Sequence, residues 1–144
     1  TDRRILGELS ADARLSMRKL AQRVGVALGT PSTRSKRREK LGAIPGNGCR
    51  LDPERVGWSF TVIVCIRIAK GRLLEVQEKI AADRRVFGVY DVTGDVDSMI
   101  LARLRNRRDL DHFTKNVLTM EGIERSFTHV VLNTVREDDV VLAD

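Results

Sequence analysis

The sequence predicts an α+β protein in two parts, a small helical N-terminal part and a C-terminal part built on a four-stranded sheet. Apolar residues recur at helical spacing as far as about residue 41, and at strand spacing from Ser59 onward. Residues 1–50 carry twelve Lys and Arg against four Asp and Glu, a net charge of +8. Residues 51–144 carry fourteen against sixteen, a net charge of −2. Both the period and the charge therefore change near residue 50.

The first two helices of the N-terminal part have clear ends. Thr1 and Asp2 can cap the first helix. Its apolar stripe consists of Ile5, Leu6 and Leu9. The second helix is predicted over Met17–Val24, with Ser16 as its N-cap and Gly25 as the residue that ends it. Its inward positions are Leu20, Ala21 and Val24.

A third helix is predicted from about Gly29 to Leu41, and it is strongly basic. Two short helices, a glycine turn and a cationic third helix are typical of a helix-turn-helix, whose third helix enters the DNA major groove. Short hydroxyls and arginine can approach base edges, while the later basic residues bind phosphates. The residues predicted near bases are Thr30, Ser32, Thr33 and Arg34, and those on phosphates are Lys36 and Arg37. For each residue alone, a solvated helix face is the alternative.

The C-terminal part is predicted to follow the order βαββαβ, a ferredoxin-like fold with both helices on one sheet face. Its strands are Ser59–Ile68, Val86–Thr93, Ser98–Arg105 and Glu124–Val135. Its helices carry the apolar positions Leu73, Val76 and Ile80, then Leu110, Phe113 and Val117 from near Arg108. Because an apolar sheet face left uncovered by helices commonly mediates self-association, we expect a homodimer.

Several classes of function lack the residues they need. Cys49 and Cys65 form no C-x-x-C pair, so neither a zinc site nor a disulfide framework is predicted, and a reducing cytoplasm fits. No apolar run is long enough to cross a membrane. His112 and His129 are the only histidines, and both are interpreted as structural or surface residues. No catalytic constellation and no cofactor motif is found.

These observations give predicted boundaries of 1–45 for the helix-turn-helix domain, 46–58 for a linker and 59–144 for a sheet domain that binds an effector and oligomerises. The chain resembles the Lrp/AsnC, or feast/famine, family of prokaryotic transcription regulators along essentially its whole length. The similar stretches are Asp2–Leu6, Leu20–Val26, Leu41–Ile44, Leu51–Gly57, Val89–Asp97 and Glu121–Thr128.

The resemblance implies dimers joined through the C-terminal domains, often assembled into octamers. It also implies control by a small molecule, commonly an amino acid, bound between subunits near the Gly94–Asp97 turn. There Asp95 or Asp97 would pair with the ammonium group, and backbone N–H groups would bind the carboxylate. Val96 stands where the family often has Tyr, and Thr128 on the last strand is a further candidate contact. A simple hairpin turn that needs the positive φ of glycine is the alternative interpretation.

The chain departs from the family pattern in the third helix. Family members usually carry apolar residues where Pro31, Ser35 and Arg38 stand. Ser35 and Arg38 on an inner face would weaken packing, so a less stable or slightly rotated helix is predicted. Two alternatives follow from the same architecture: a siroheme-decarboxylase-like enzyme, and a DNA-compacting protein of low sequence specificity. The basic head and the lack of catalytic histidines favour a regulator over the enzyme.

Overall fold

The computed structural model describes residues 2–12, 14, 16–25, 49–140 and 142–143. Contacts between residues divide the chain into two units. The first comprises Thr1–Arg50 with Arg136–Asp144, and the second comprises Leu51–Val135. No helix of the described residues is long and apolar enough to cross a membrane.

The described part of the first unit contains helices α1, Asp2–Ala11, and α2, Met17–Val24. Ser16 caps α2 as predicted, because its side-chain oxygen accepts a hydrogen bond from the Lys19 N–H. Gly25 ends α2 in the left-handed conformation, also as predicted. The small core shared by the two helices consists of Ile5, Leu20 and Val24, with Leu9 packed against it.

The second unit has the predicted order of strands and helices, and the ferredoxin-like class is confirmed. A short 3₁₀ turn, Glu54–Val56, precedes the sheet. The strands are β1 Phe60–Ile68, β2 Val86–Asp91, β3 Ser98–Leu104 and β4 Ile123–Val130. The helices are α3 Leu73–Ala81 and α4 Arg107–His112, the latter continued by a π-helical turn over Phe113–Val117. All strand pairs are antiparallel, in the order β2-β3-β1-β4.

One face of the sheet is covered by the helices. The alternation in β1 places its even-numbered residues in the core, and Val62, Val64 and Ile66 are fully buried. The other buried members of this core are Ile68, Val76, Ile80, Ile100, Ala102, Leu104, Phe113 and Leu118. The second sheet face remains uncovered by any described element of the unit.

Two predicted strand ends are too long, and the pairing explains both. β4 ends at Val130, which pairs with Val62, and the Val131 N–H still donates to the Thr61 carbonyl at 2.9 Å. Residues beyond 132, which the sequence assigns to the strand as far as Val135, would lie past Phe60, the first residue of β1. β2 ends at Asp91 rather than Thr93, because Asp91 pairs with Ser98, where β3 begins. A strand cannot continue without neighbouring backbone groups that complete its hydrogen bonds.

Candidate functional site

The residues predicted to contact DNA lie outside the described residues. These are Thr30, Ser32, Thr33, Arg34, Lys36 and Arg37, together with the inner-face positions Ser35 and Arg38. Their placement stays a prediction. The helices described in the same head, α1 and α2, pack together as a helix-turn-helix requires.

The connection between β2 and β3 is a six-residue loop, 92–97, rather than the tight turn predicted at Gly94–Asp97. The Val92 N–H donates to the Asp97 carbonyl at 3.3 Å within the loop, and the other hydrogen bonds of the loop run to β1. The Asp97 N–H donates to the Ile66 carbonyl at 2.9 Å, and the Ile68 N–H donates to Asp97 Oδ2 at 2.7 Å. Arg67 Nε donates to the Asp95 carbonyl at 2.7 Å. Gly94 has a φ of +109°, so the positive φ predicted for it is present in the wider loop.

The two acidic residues of this loop therefore differ in what they can bind. One oxygen of Asp97 already accepts the Ile68 N–H, so this carboxylate anchors the loop to β1. The Asp95 carboxylate is exposed and has no hydrogen-bond partner among the described residues. Within the same part of the chain, the N–H groups of Gly94, Asp95 and Val96 donate to no other backbone carbonyl. The loop thus offers one free anion beside free donors, a pattern complementary to a zwitterion.

Thr128 lies on β4, half-buried, and pairs with Val64 of β1. The loop contacts β1 at Ile66–Ile68, and the partner of Thr128 on β1, Val64, lies two residues before Ile66. Thr128 is therefore on the strand next to the one that anchors the loop. Of the residues predicted to bind the effector, Gly94, Asp95, Val96 and Asp97 share this loop, whereas Thr128 lies on β4.

A second polar cluster was not predicted from the sequence. It is centred on Arg85, whose side chain is only 10% exposed. Its guanidinium donates to both oxygens of Asp83, at 3.0 and 2.8 Å, and to Asp109 Oδ1 at 2.9 Å. The other Asp109 oxygen accepts the Arg105 backbone N–H at 2.9 Å. The sequence feature pointing to this site is Asn106, whose side chain caps α4 by accepting the Asp109 N–H.

The electrostatics of this cluster stabilise its charged forms. The hydrogen bond from the Arg85 side chain lowers the pKa of the Asp83 carboxyl below its usual range. Burial raises the pKa of Asp109, but the hydrogen bonds from Arg105 and Arg85 outweigh it, so the net direction is downward. The same hydrogen bonds raise the pKa of Arg85, and the bond to Asp83 has the largest effect.

His112, predicted to be a structural or surface residue, is exposed and contacts this cluster. Its Nδ1 lies 3.1 Å from Arg85 Nη1. Because a guanidinium can only donate, Nδ1 accepts, and the ring proton lies on Nε2. His129 lies exposed on β4, paired with Ile63. Among the residues that the structure describes, no group of three or more His, Cys, Asp or Glu is placed to hold a metal ion.

The described architecture is a head whose two helices pack together and a βαββαβ domain whose β2–β3 loop is anchored on β1. Residues 1–39 match the model of the AsnC-type helix-turn-helix domain, and residues 61–141 match that of the Lrp/AsnC ligand binding domain. The chain belongs to the Lrp/AsnC family. It is a transcription regulator and not an enzyme, as the sequence predicts.

The relatives agree in length as well as in fold. An HTH-type transcriptional regulator of Pyrococcus abyssi is 41% identical, over 95% of this chain and 93% of its own. AsnC of E. coli superposes with a TM-score of 0.90 at 24% identity, over 96% of this chain and 95% of its own. A feast or famine regulatory protein from M. tuberculosis, complexed with L-methionine, has a TM-score of 0.88 at 26% identity, over 99% of this chain and 97% of its own.

Proposed function

We propose that this regulator binds specific DNA sites and that a small effector, an amino acid, controls its assembly or its DNA binding. The observation that carries the proposal is the Gly94–Asp97 loop, which β1 holds in place while the Asp95 carboxylate and neighbouring N–H groups stay free. The complex of the M. tuberculosis relative with L-methionine supports an amino acid as the effector.

In the proposed effector complex, Asp95 pairs with the ammonium group of the amino acid. The N–H groups of Gly94 and Val96 bind its carboxylate. Asp97 acts by holding the loop on β1, since one of its oxygens is already bonded. Thr128 contacts the effector in this proposal from β4, either of the same chain or of a neighbouring subunit.

For DNA, the proposed interface is the outer face of the third helix. The hydroxyls of Thr30, Ser32 and Thr33 lie near base edges, where Arg34 can bind guanine through two hydrogen bonds. Lys36 and Arg37 bind phosphates and fix the register of the helix. The support is the basic charge of the head, +8 over residues 1–50, within a sequence that matches an AsnC-type helix-turn-helix.

The open face of the sheet is the proposed dimer interface. The strand register places a row of side chains across all four strands, in the order Tyr90, Met99, Cys65 and Phe127. Tyr90, Met99 and Phe127 are 52%, 37% and 39% exposed, an unusual exposure for three large apolar side chains in one row. A second copy of this face would cover them, and such dimers would assemble further, up to an octamer.

A dimer presents two heads, which suits an operator with two half-sites about one helical turn apart. For the effector to change DNA binding, it must bind one arrangement of the subunits more tightly than the other. The loop supplies a physical basis, because the residues that anchor it, Ile66 to Ile68, belong to the strand that carries Cys65 of the proposed interface.

The experiment that tests the whole proposal is a footprint on DNA upstream of the protein's own gene, with and without L-methionine and other amino acids. We expect protection of discrete sites that changes in extent or spacing when the effector is added. Uniform coverage without discrete sites would instead indicate the DNA-compacting alternative. Absence of protection at every salt and protein concentration would contradict the proposal.

The effector site predicts the behaviour of Asp95→Asn. Removing this charge should weaken amino-acid binding at least about tenfold, because a hydrogen bond to a charged group is worth about 1.5–3 kcal/mol. Isothermal titration with the amino acid that changes the footprint measures it. Glu124→Gln removes the same charge from an exposed position of β4 and should leave the affinity unchanged. Equal affinities for Asp95→Asn and the unaltered protein would show that Asp95 does not bind the amino acid.

The interface predicts that Met99→Lys dissociates the dimer. Each Lys would be buried without a partner in the covered row, at a cost of several kcal/mol per ion, so the dissociation constant should rise at least about a hundredfold. Sedimentation equilibrium should then give the monomer mass of 16.2 kDa. The control is Leu74→Lys on α3, where the side chain is 68% exposed, and this variant should stay dimeric. An undissociated Met99→Lys variant would place the interface elsewhere.

A further inference from the structure

A cavity of about 620 Å³ lies at the end of the sheet domain remote from the Gly94–Asp97 loop. Its walls are Trp58, the segment Asp83–Arg85 before β2, and the segment from Arg105 to His112. The loop precedes β3 and the Arg105 segment follows it, so the seven residues of β3 separate the two sites by about 20 Å. Binding sites for small organic molecules have volumes of about 300–1,000 Å³.

The two carboxylates in the wall are already used by the protein. Both oxygens of Asp83 accept hydrogen bonds from Arg85. In Asp109 one oxygen accepts from Arg85 and the other from the Arg105 backbone. Arg85 in turn is held by these two carboxylates and by His112 Nδ1. The acidic groups therefore balance the charge of the buried Arg85 and leave little acceptor capacity toward the cavity.

The remaining polar groups of the cavity wall are hydrogen-bond donors. Within the described part of the chain, Arg84 and Arg108 have no carboxylate partner. The Arg105 side chain is 61% exposed, with only a 3.5 Å contact to Asp109. His112 adds its Nε2–H, because its Nδ1 accepts from Arg85. Three guanidinium groups that line one cavity repel one another, and a bound dianion would relieve that repulsion.

The indole of Trp58 supplies the apolar part of the wall. The Arg84 guanidinium carbon lies 5.8 Å from the centre of the ring, within the range of a cation–π contact. This contact favours a position of Arg84 beside the cavity, and arginine is the side chain that best matches the geometry of phosphate oxygens.

We propose that this cavity binds a small phosphate-bearing molecule, at a second ligand site separate from the Gly94–Asp97 loop. Arg84, Arg105 and Arg108 bind the phosphate oxygens, and Trp58 contacts the remainder of the molecule. The buried cluster of Arg85, Asp83 and Asp109 holds the wall in place. A concave site of this volume suits a small ligand better than the backbone of a DNA duplex, which also carries phosphates.

Trp58 is the only tryptophan of the chain and therefore reports directly on the cavity. The test titrates the full-length protein with inorganic pyrophosphate, at an ionic strength held constant with NaCl, and follows tryptophan fluorescence. We expect a saturable change. Arg84→Gln and Arg108→Gln should each weaken binding at least about tenfold. Lys70→Gln removes the same charge from an exposed turn and should leave it unchanged.

Four outcomes would overturn the proposal. The first is a fluorescence response that does not saturate, and the second is an equal loss in Lys70→Gln, which would indicate a non-specific charge effect. The third is that Arg108→Gln weakens binding to a DNA duplex as much as binding to pyrophosphate, because the phosphates would then belong to DNA. Asp95→Asn should bind pyrophosphate with unchanged affinity, and a tenfold loss there would contradict two separate sites.

Discussion

Asp109→Asn should lower the free energy of unfolding of the sheet domain by about 3 kcal/mol, the cost of breaking a buried ion pair. The side chain of Asp109 is 6% exposed, and it joins Arg85 to the backbone of Arg105. In Asp109→Asn the side-chain NH₂ group would face either Arg85 or the Arg105 N–H. Both of these are donors, so at least one of the two hydrogen bonds is lost. Denaturant unfolding at fixed protein concentration, followed by the fluorescence of Trp58, measures the loss.

The matched control lies on the same helix. Asp111→Asn removes an equal charge, but the Asp111 side chain is 58% exposed and pairs with Lys115 near the surface. A pair of this kind is worth about 0.5 kcal/mol or less. If the two variants lost the same stability, the cluster around Arg85 would be a surface arrangement without a structural role.

The same cluster predicts a loss of stability in acid. The pKa values of Asp83 and Asp109 are lowered in the folded protein, so the unfolded chain binds more protons as the pH falls. The stabilisation is complete above the unfolded pKa of about 4 and is lost as the pH falls through the lower folded values.

Unfolding curves between about pH 6 and pH 3 test this acid dependence. We expect a shallower decline in Asp109→Asn than in the unaltered protein. A residual decline should remain, because hydrogen bonds from Arg72 and Lys79 lower the pKa of Glu75 to about 2. Parallel declines in the two proteins would show that Asp109 does not titrate with folding.

Gly122→Ala should cost about 3 kcal/mol, the sum of a backbone and a packing term. Gly122 precedes β4 with a φ of +99°, which L-residues with a Cβ rarely adopt. A Cβ at this position would lie 2.7 Å from Cγ2 of Val76, a fully buried residue of α3. Since Val76 cannot move without disturbing the core, overpacking adds to the strain.

A second glycine separates the two terms. Gly71 has a φ of +80°, and a Cβ there would meet no atom within 4 Å. Gly71→Ala should therefore show only the backbone term of about 1–2 kcal/mol. Thermal or denaturant unfolding of both variants gives the packing term as the difference. Equal losses would mean that the contact between Gly122 and Val76 relaxes at no cost.

Local sequence patterns were sufficient to predict most of the strands and helices of the sheet domain. The period of two in β1 fixed which residues enter the core, and Val62, Val64 and Ile66 are buried as that period predicts. The strand ends were less predictable. Glu124–Val135 is strand-like in sequence as far as Val135, but the pairing register places residues beyond 132 past Phe60, the first residue of β1. Pairing is a property of two segments, so the sequence of one of them cannot define where it ends.

The sequence by itself determined a basic helical head, a βαββαβ domain with one uncovered apolar sheet face, and a glycine-containing loop at Gly94–Asp97. Only the tertiary structure decided that Asp97 anchors this loop while Asp95 stays free, since the Ile68 N–H that Asp97 accepts is 29 residues away in the chain. The same holds for Arg85 and Asp109, which are 24 residues apart. Local periodicity selects faces and elements, whereas the partner of a charged side chain depends on segments that only the fold brings together.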